Sequence, residues 1–196
     1  FLGPNGAGKT TAMRMVTGFL PPTAGTVTVD GFNVSRQPIE VKRRIGYLPE
    51  GAPLYEDMTP LELLSYIADV RRMSGQAKRD AITRAASRIN IEPVMHQSIG
   101  TLSKGYKRRV GIAQAILHDP DILILDEPTD GLDPNQKHEV RNLINEMAEN
   151  KVIVISTHLL EELEVICSRA IVLAAGKIVA DCSPAELEAQ SSYHNA

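Results

Sequence analysis

Residues Gly3-Pro4-Asn5-Gly6-Ala7-Gly8-Lys9-Thr10, followed by Thr11, fit the pattern G-x-x-x-x-G-K-[ST] of a loop that holds nucleotide phosphates. Small residues at Gly3, Gly6, Ala7 and Gly8 let the backbone wrap an anion, so that successive N–H groups point inward. The helix expected to follow adds its positive dipole end. Lys9 then reaches the outer phosphates, and the Thr10 hydroxyl is placed to ligate magnesium. An accidental glycine-rich turn is the alternative. The apolar pair Phe1-Leu2 before the loop and the helical pattern behind it argue against that alternative.

A second constellation lies far downstream. Ile122-Leu123-Ile124-Leu125 is an apolar run of strand length that ends in Asp126-Glu127. In a parallel sheet the carboxyl ends of the strands face the ligand crevice, where the phosphate loop also sits. Asp126 can therefore hold magnesium, directly or through water, opposite Thr10. Glu127, one residue on, is placed to polarise a water for in-line attack on the γ-phosphate. Ser156-Thr157-His158 closes the next apolar run, and a neutral His158 imidazole there could bond the γ-phosphate or position the attacking water. Thr129-Asp130-Gly131-Leu132-Asp133-Pro134 links the carboxylates to the next helix. Asp133 ahead of proline suits a helix N-cap, a reading compatible with a functional one. Ser103 and Gly105 put a hydroxyl and an accessible backbone at another helix N-terminus, a second anion-binding end.

The elements that must position these groups read as α/β. Helices are expected over Lys9 to about Thr17, from the capping box Thr59-Pro60-Leu61-Glu62 to about Met73, and over about Ala77 to Ile89, Tyr106 to Leu117, Pro134 to Glu149 and Leu159 to Ile166. Val140, Leu143, Ile144 and Met147 make one core-facing stripe. Gly25 to Val34 alternates as a strand running into an Asp30-Gly31 turn. Ile45 to Leu48, Ile122 to Leu125 and Val152 to Ile155 read as strands, the last two apolar enough for a parallel sheet covered on both faces. Pro49 to Met58, with Gly51 and Pro53, reads as a loop. Ala170 to Ala180 is expected to form a hairpin around Ala174-Ala175-Gly176, and Ser183-Pro184-Ala185-Glu186 a second capping box. Strands alternating with helices mean a mainly parallel sheet flanked by helices.

With 196 residues the chain has room for one domain or most of one. Its apolar content of 43% and charged content of 23% are ordinary for a globular protein, and a net charge of −3 gives no support for nucleic acid as the main partner. No apolar stretch approaches a membrane span. Cys167 and Cys182 match no metal spacing; as core hydrophobes they suit a reducing cytosol. Only Phe1-Leu2 stands before the phosphate loop, so the chain reads as entering a domain part-way along a strand. The tail from Gln190 onward is polar and expected to fray.

Taken together, these motifs resemble the ATP-binding subunit of ABC transporters over nearly the whole chain. Gly3 to Thr10 looks like Walker A and Ile122 to Glu127 like Walker B with the catalytic glutamate. Leu102 to Tyr106 sits where the family carries its LSGGQ signature, Gly131-Leu132-Asp133 matches the D-loop and His158 the switch histidine. Gly46-Tyr47-Leu48-Pro49-Glu50 falls at the Q-loop, and Pro49 to Pro60 looks most like exporter ATPases of the drug, sodium and gliding-motility type. The resemblance implies a P-loop NTPase fold in a single domain over residues 1–196. An inserted helical subdomain would span about 59–117, beside a partial antiparallel β subdomain. It implies ATP and Mg2+ as ligands, catalysis by Glu127 with His158 and Lys9, and a metal site of Thr10, Asp126 and Glu50.

The same resemblance implies two such domains facing head to tail, a homodimer in the simplest case. Ser103, Gly105 and Asp133 would then meet the ATP held by the partner's Walker A loop. A membrane-spanning permease subunit would convert closure and reopening into transport at the cytoplasmic face of the membrane. The chain departs from the family pattern at Glu50 in place of Gln, which adds negative charge near the metal. It departs again at Lys104 for Gly and Tyr106 for Gln in the signature. The aromatic residue on which adenine stacks would precede residue 1. Rival expectations are a soluble ABC-type ATPase acting on ribosomes and a non-hydrolysing nucleotide-binding regulator. A DNA-tethering relative fits poorly, because Thr11 to Thr101 holds no sustained heptads.

Overall fold

A computed structural model describes residues 1–51 and 54–192, so the expectations placed on Pro53 and on residues 193–196 lie outside the described residues. Three parallel strands, β3 (Ile45–Leu48), β4 (Ile122–Asp126) and β5 (Val152–Ser156), form the central sheet in that order. The register sets Leu48 beside Leu125 and Asp126 beside Ser156. The sheet continues through Leu2, which bridges Thr157 on one side and Val172 of β6 (Ala170–Ala174) on the other. The Leu2 N–H donates to the Ile171 carbonyl at 2.9 Å, and the Leu2 carbonyl accepts from the Leu173 N–H at 2.8 Å. This placement decides where the phosphate loop begins: Gly3 emerges beside the carboxyl ends of β4 and β5.

Alternation along the strands explains how the sheet is covered. Leu48, Leu123, Leu125 and Ile155 belong to one buried cluster, with Val110 and Ile112 of α5 (Lys104–Ile116) and Val140, Leu143, Ile144 and Met147 of α6 (Pro134–Ala148). The intervening Ile45 and Ile124 pack on the opposite face with Met13 of α1 (Lys9–Val16) and Val41 of α2 (Pro38–Arg44). Gly46 is required where α5 crosses β3, because a Cβ there would stand 2.2 Å from the Ala115 carbonyl oxygen. The apolar stripe expected on α6 is the one observed.

The remaining expectations divide clearly. The capping box at Thr59 forms in both directions and opens α3 (Pro60–Val70), which stops three residues short of Met73. Ser183 and Glu186 exchange the same pair of bonds ahead of α8 (Pro184–Ser192), which stays helical past Gln190, where fraying was expected. α4 (Gly75–Arg88) and α7 (Leu160–Ile166) fall close to their expected bounds. β6 pairs antiparallel with β7 (Lys177–Cys182) around Ala175 and Gly176, both at positive φ. Of the stretch Gly25 to Val34 only β1 (Thr28–Val29) and β2 (Phe32–Asn33) pair, around Asp30 and Gly31 at φ 49° and 77°.

β5 is not covered along its full length, contrary to expectation. Val152 is 62% exposed, and burial is complete only at Ile155 and Ser156. The flanking helices cover the carboxyl half of the strand and leave its amino end at the rim, where an apolar residue is tolerated. Cys167 and Cys182 are half-buried rather than core residues. α2 was not expected at all; proline at its first turn and the Glu40 pairs with Arg43 and Arg44 support it.

His118, just past α5, donates from Nε2 to the Ile45 carbonyl at 3.1 Å. Burial first, then Arg71, lowers its pKa from 6.5 to about 4. Between those values the unfolded chain binds a proton that the folded chain refuses, so stability falls as pH drops from about 6.5 towards 4. Chemical denaturation at a series of pH values should show this slope, and His118→Gln should flatten it. An unchanged slope in the variant would remove His118 as its source.

Candidate nucleotide-binding site

The phosphate loop opens into α1 through Gly8 at φ 103°, with Gly6 at φ 82°. Both angles lie in the left-handed region, where a Cβ is costly, which is why the turn needs glycine. A cavity of about 230 Å³ sits over the loop, lined by residues 5–11 with Glu50 and Glu127. Thr10, Thr11 and Glu50 line this one cavity together with the loop. Gly3 and Pro4 contribute differently. Their carbonyls accept from Lys9 Nζ at 2.7 and 3.3 Å. Lys9 is 5% exposed, and Glu127 Oε1 lies 3.4 Å from the same ammonium.

Glu127 is the most constrained residue of the site. Its φ is +48°, a left-handed conformation uncommon for a residue with a long side chain. Several partners hold it there. Its N–H donates to Ser156 Oγ at 2.9 Å, and its carbonyl accepts from the Arg108 guanidinium. The carboxylate is drawn between two cationic or polar groups, with His158 Nδ1 3.0 Å from Oε2 and Lys9 beside Oε1. The β4–β5 register makes this possible, because it sets Asp126 against Ser156 and so brings the following Glu127 and His158 to one rim.

Asp126 is fully buried. Its Oδ1 accepts from the Ser156 hydroxyl, while Oδ2 has no protein partner among the described residues. A buried carboxylate oxygen without a donor is costly, and a hard divalent cation with oxygen ligands is the group that would satisfy it. Such a cation is compatible with the residues present: the orphaned Asp126 oxygen, with Thr10 and Glu50 on the wall of the cavity that the adjoining Glu127 lines.

Ser103, Gly105 and Asp133 do not line this cavity. Ser103 caps α5 by accepting from the Tyr106 N–H at 3.3 Å, and Asp133 caps α6 by accepting from the Gln136 N–H at 2.9 Å. Gly105 departs from expectation. It is buried, not accessible, because the Gln136 amide closes over it; a Cβ on Gly105 would lie 2.7 Å from that side chain.

Two residues absent from the sequence reading belong to the site. Arg108 is 6% exposed, and burial pulls its pKa below the usual guanidinium range while Asp130 and Asp126 pull it back. The signal was present: Gly105, Arg108, Ile112 and Ala115 form the buried stripe of α5, so a cation on that stripe needs a buried acceptor. Glu162 of α7 is fully buried and receives the hydroxyls of Thr129 and Thr157.

Comparison with known proteins agrees with this geometry. Residues 1–130 match the ABC transporter family. The chain is 39% identical over 180 residues to the ABC transporter ATP-binding protein NatA of Bacillus subtilis (strain 168), covering 91% of this chain and 73% of that protein. It is also 39% identical over 184 residues to the Nod factor export ATP-binding protein I of Burkholderia orbicola (strain AU 1054). That match covers 93% of this chain and 60% of the relative, so the chain spans well under two thirds of the latter's length. Its fold superposes with a TM-score of 0.83 and 25% identity on an ATP-binding cassette solved as a dimer in a post-hydrolysis state with ADP and Pi, covering 93% of this chain and 83% of that one. Together with a phosphate loop, a buried aspartate and a glutamate held against Lys9 and His158, these matches identify the chain as an ATP-binding, ATP-hydrolysing domain of the ABC transporter family.

Proposed function

We propose that this domain powers an exporter: two copies close head to tail on ATP and Mg2+, hydrolysis reopens them, and a membrane-spanning permease converts the motion into transport. The observation that carries the reading is the Glu127 carboxylate, fixed between Lys9 and His158 at the rim of the phosphate cavity. A carboxylate so placed can accept a proton from water attacking the terminal phosphoryl group. Lys9 neutralises charge on the outer phosphates, and the start of α1 with the glycine-rich turn before it would hold the rest of the chain of phosphates. Asp126, with Thr10 and Glu50, would hold magnesium, which would supply positive charge to the phosphates. His158 holds the Glu127 carboxylate in place and is free to contact the terminal phosphate.

Completion of the site requires the second copy. Ser103 and Asp133 cap helices and Gly105 lies in the first turn of α5, all outside the cavity of their own chain, which fits their meeting the partner's triphosphate. Gln136 would swing off Gly105 as the two copies close, since a side-chain end moves at low cost. Export over the soluble, ribosome-associated alternative is supported by the naming of the relatives, one of which is a Nod factor export protein. No helix among the described residues is long and apolar enough to cross a membrane, so contact with the cytoplasmic face would run through a permease.

Dilution of the full-length protein tests the arrangement. Phosphate release per molecule should fall steeply once the concentration drops below that at which the protein self-associates, and should cease when Mg2+ is chelated. An undiminished specific rate at high dilution overturns the paired site.

A further inference from the structure

We propose that Glu162 is a positioning residue, which fixes the loop carrying Glu127 and the loop carrying His158 in one register. Glu162 lies in the first turn of α7, fully buried, and each of its carboxylate oxygens takes a hydroxyl from a different catalytic loop. Oε1 accepts from Thr129 Oγ1, two residues past Glu127. Oε2 accepts from Thr157 Oγ1 at 2.7 Å, one residue before His158. The Thr157 hydroxyl also accepts the Leu159 N–H at 3.1 Å, which locks its rotamer from the other side. Arg141 of α6 stands 3.5 Å from Oε1 and is the cation facing the group.

A carboxylate withdrawn from water costs several kcal/mol, and an apolar side chain of similar volume often serves stability as well or better. Burying one here is justified by geometry rather than by stability. A buried network of this kind, with both carboxylate oxygens taken by hydroxyls, specifies one arrangement of the groups it joins. The contact it protects is the 3.0 Å approach of His158 to Glu127, just past Asp126 and Ser156, the last residues paired between β4 and β5. Glu127 is already in a left-handed conformation, so its loop has an easier alternative nearby if the clamp is lost. Glu162 does not line the phosphate cavity; it acts through the two loops.

This inference rests on Glu127 and His158 performing the hydrolysis proposed above. The test uses the full-length protein with Glu162→Gln and Glu162→Met. Misplacement of a catalytic group by about 1 Å costs about 100-fold, so kcat for Glu162→Met should fall about 10- to 100-fold with KM for ATP and ATP affinity nearly unchanged. Glu162→Gln, whose amide oxygen still takes one hydroxyl, should retain more activity. In a His158→Ala background, Glu162→Met should have a smaller further effect, because the half of the clamp that places His158 then has nothing to place. Thr157→Val and Thr129→Val remove one hydroxyl each at constant shape, and they report on the same clamp if the Glu162 variants fold poorly. Unchanged kcat in the threonine variants, or an equal loss with and without His158, overturns the proposal. A rise in KM matching the fall in kcat overturns it too. Glu127→Gln measured alongside separates the two ideas: persistent turnover there removes the catalytic assignment, whatever the Glu162 result.

Discussion

Replacing Glu127 by Gln in the full-length protein should lower ATP turnover about 10²–10⁴-fold, the range typical of losing a general base, while ATP still binds. The substitution is nearly isosteric, and its amide can occupy the same place between His158 and Lys9. Its main-chain anchors, the Ser156 hydroxyl on the N–H and Arg108 on the carbonyl, do not depend on the side chain. The left-handed loop should therefore persist, and the loss can be assigned to the missing base. Removing the charge beside Lys9 also frees the ammonium for phosphate, so ATP affinity should hold or rise. Single-turnover hydrolysis and equilibrium binding of a fluorescent ATP analogue, measured on the same preparation, check both halves. Full-rate hydrolysis in the variant would take Glu127 out of its role. A collapse of binding would mean that the carboxylate organises the cavity rather than the reaction.

What the sequence disclosed was whatever local spacing controls. The phosphate loop is written in consecutive residues whose small side chains and φ requirements leave few alternatives, and the cavity over residues 5–11 follows from them. Capping boxes at Thr59 and Ser183 are equally local, and both form. The apolar runs at β4 and β5 pointed to parallel strands, and their register then delivers Glu127 to His158 without further information. Contacts between distant segments left weaker traces. Arg108 reaches the Glu127 carbonyl over 19 residues, and Glu162 joins Thr129 to Thr157 across two loops. Each was visible only as a charge out of place on an apolar stripe. α2 escaped because it buries one residue, Val41, and its N-cap makes no side-chain hydrogen bond. Gly105 was misjudged because the Gln136 amide that covers it comes from another helix.

Ser103→Arg should abolish turnover while isolated monomers keep their affinity for ATP, since Ser103 stands outside the cavity of its own chain. The long guanidinium side chain would project from the exposed start of α5 and deprive the facing triphosphate of the serine hydroxyl. Loss of the cap costs about 0.5–2 kcal/mol on its own, so Ser103→Ala is the control that removes hydroxyl and cap without adding bulk. Mixing two inactive variants gives the sharper test. A dimer of one Ser103→Arg chain and one Glu127→Gln chain has one site with both an intact base and an intact signature serine. Random pairing in equal amounts makes about half of the dimers mixed, so about a quarter of all sites regain function if the symmetric interface is shared as proposed. Restoration of hydrolysis on mixing requires residues of two chains to act on one nucleotide. If Ser103 acted only within its own chain, no mixture of the two variants would recover activity, and the head-to-tail arrangement would be lost with it.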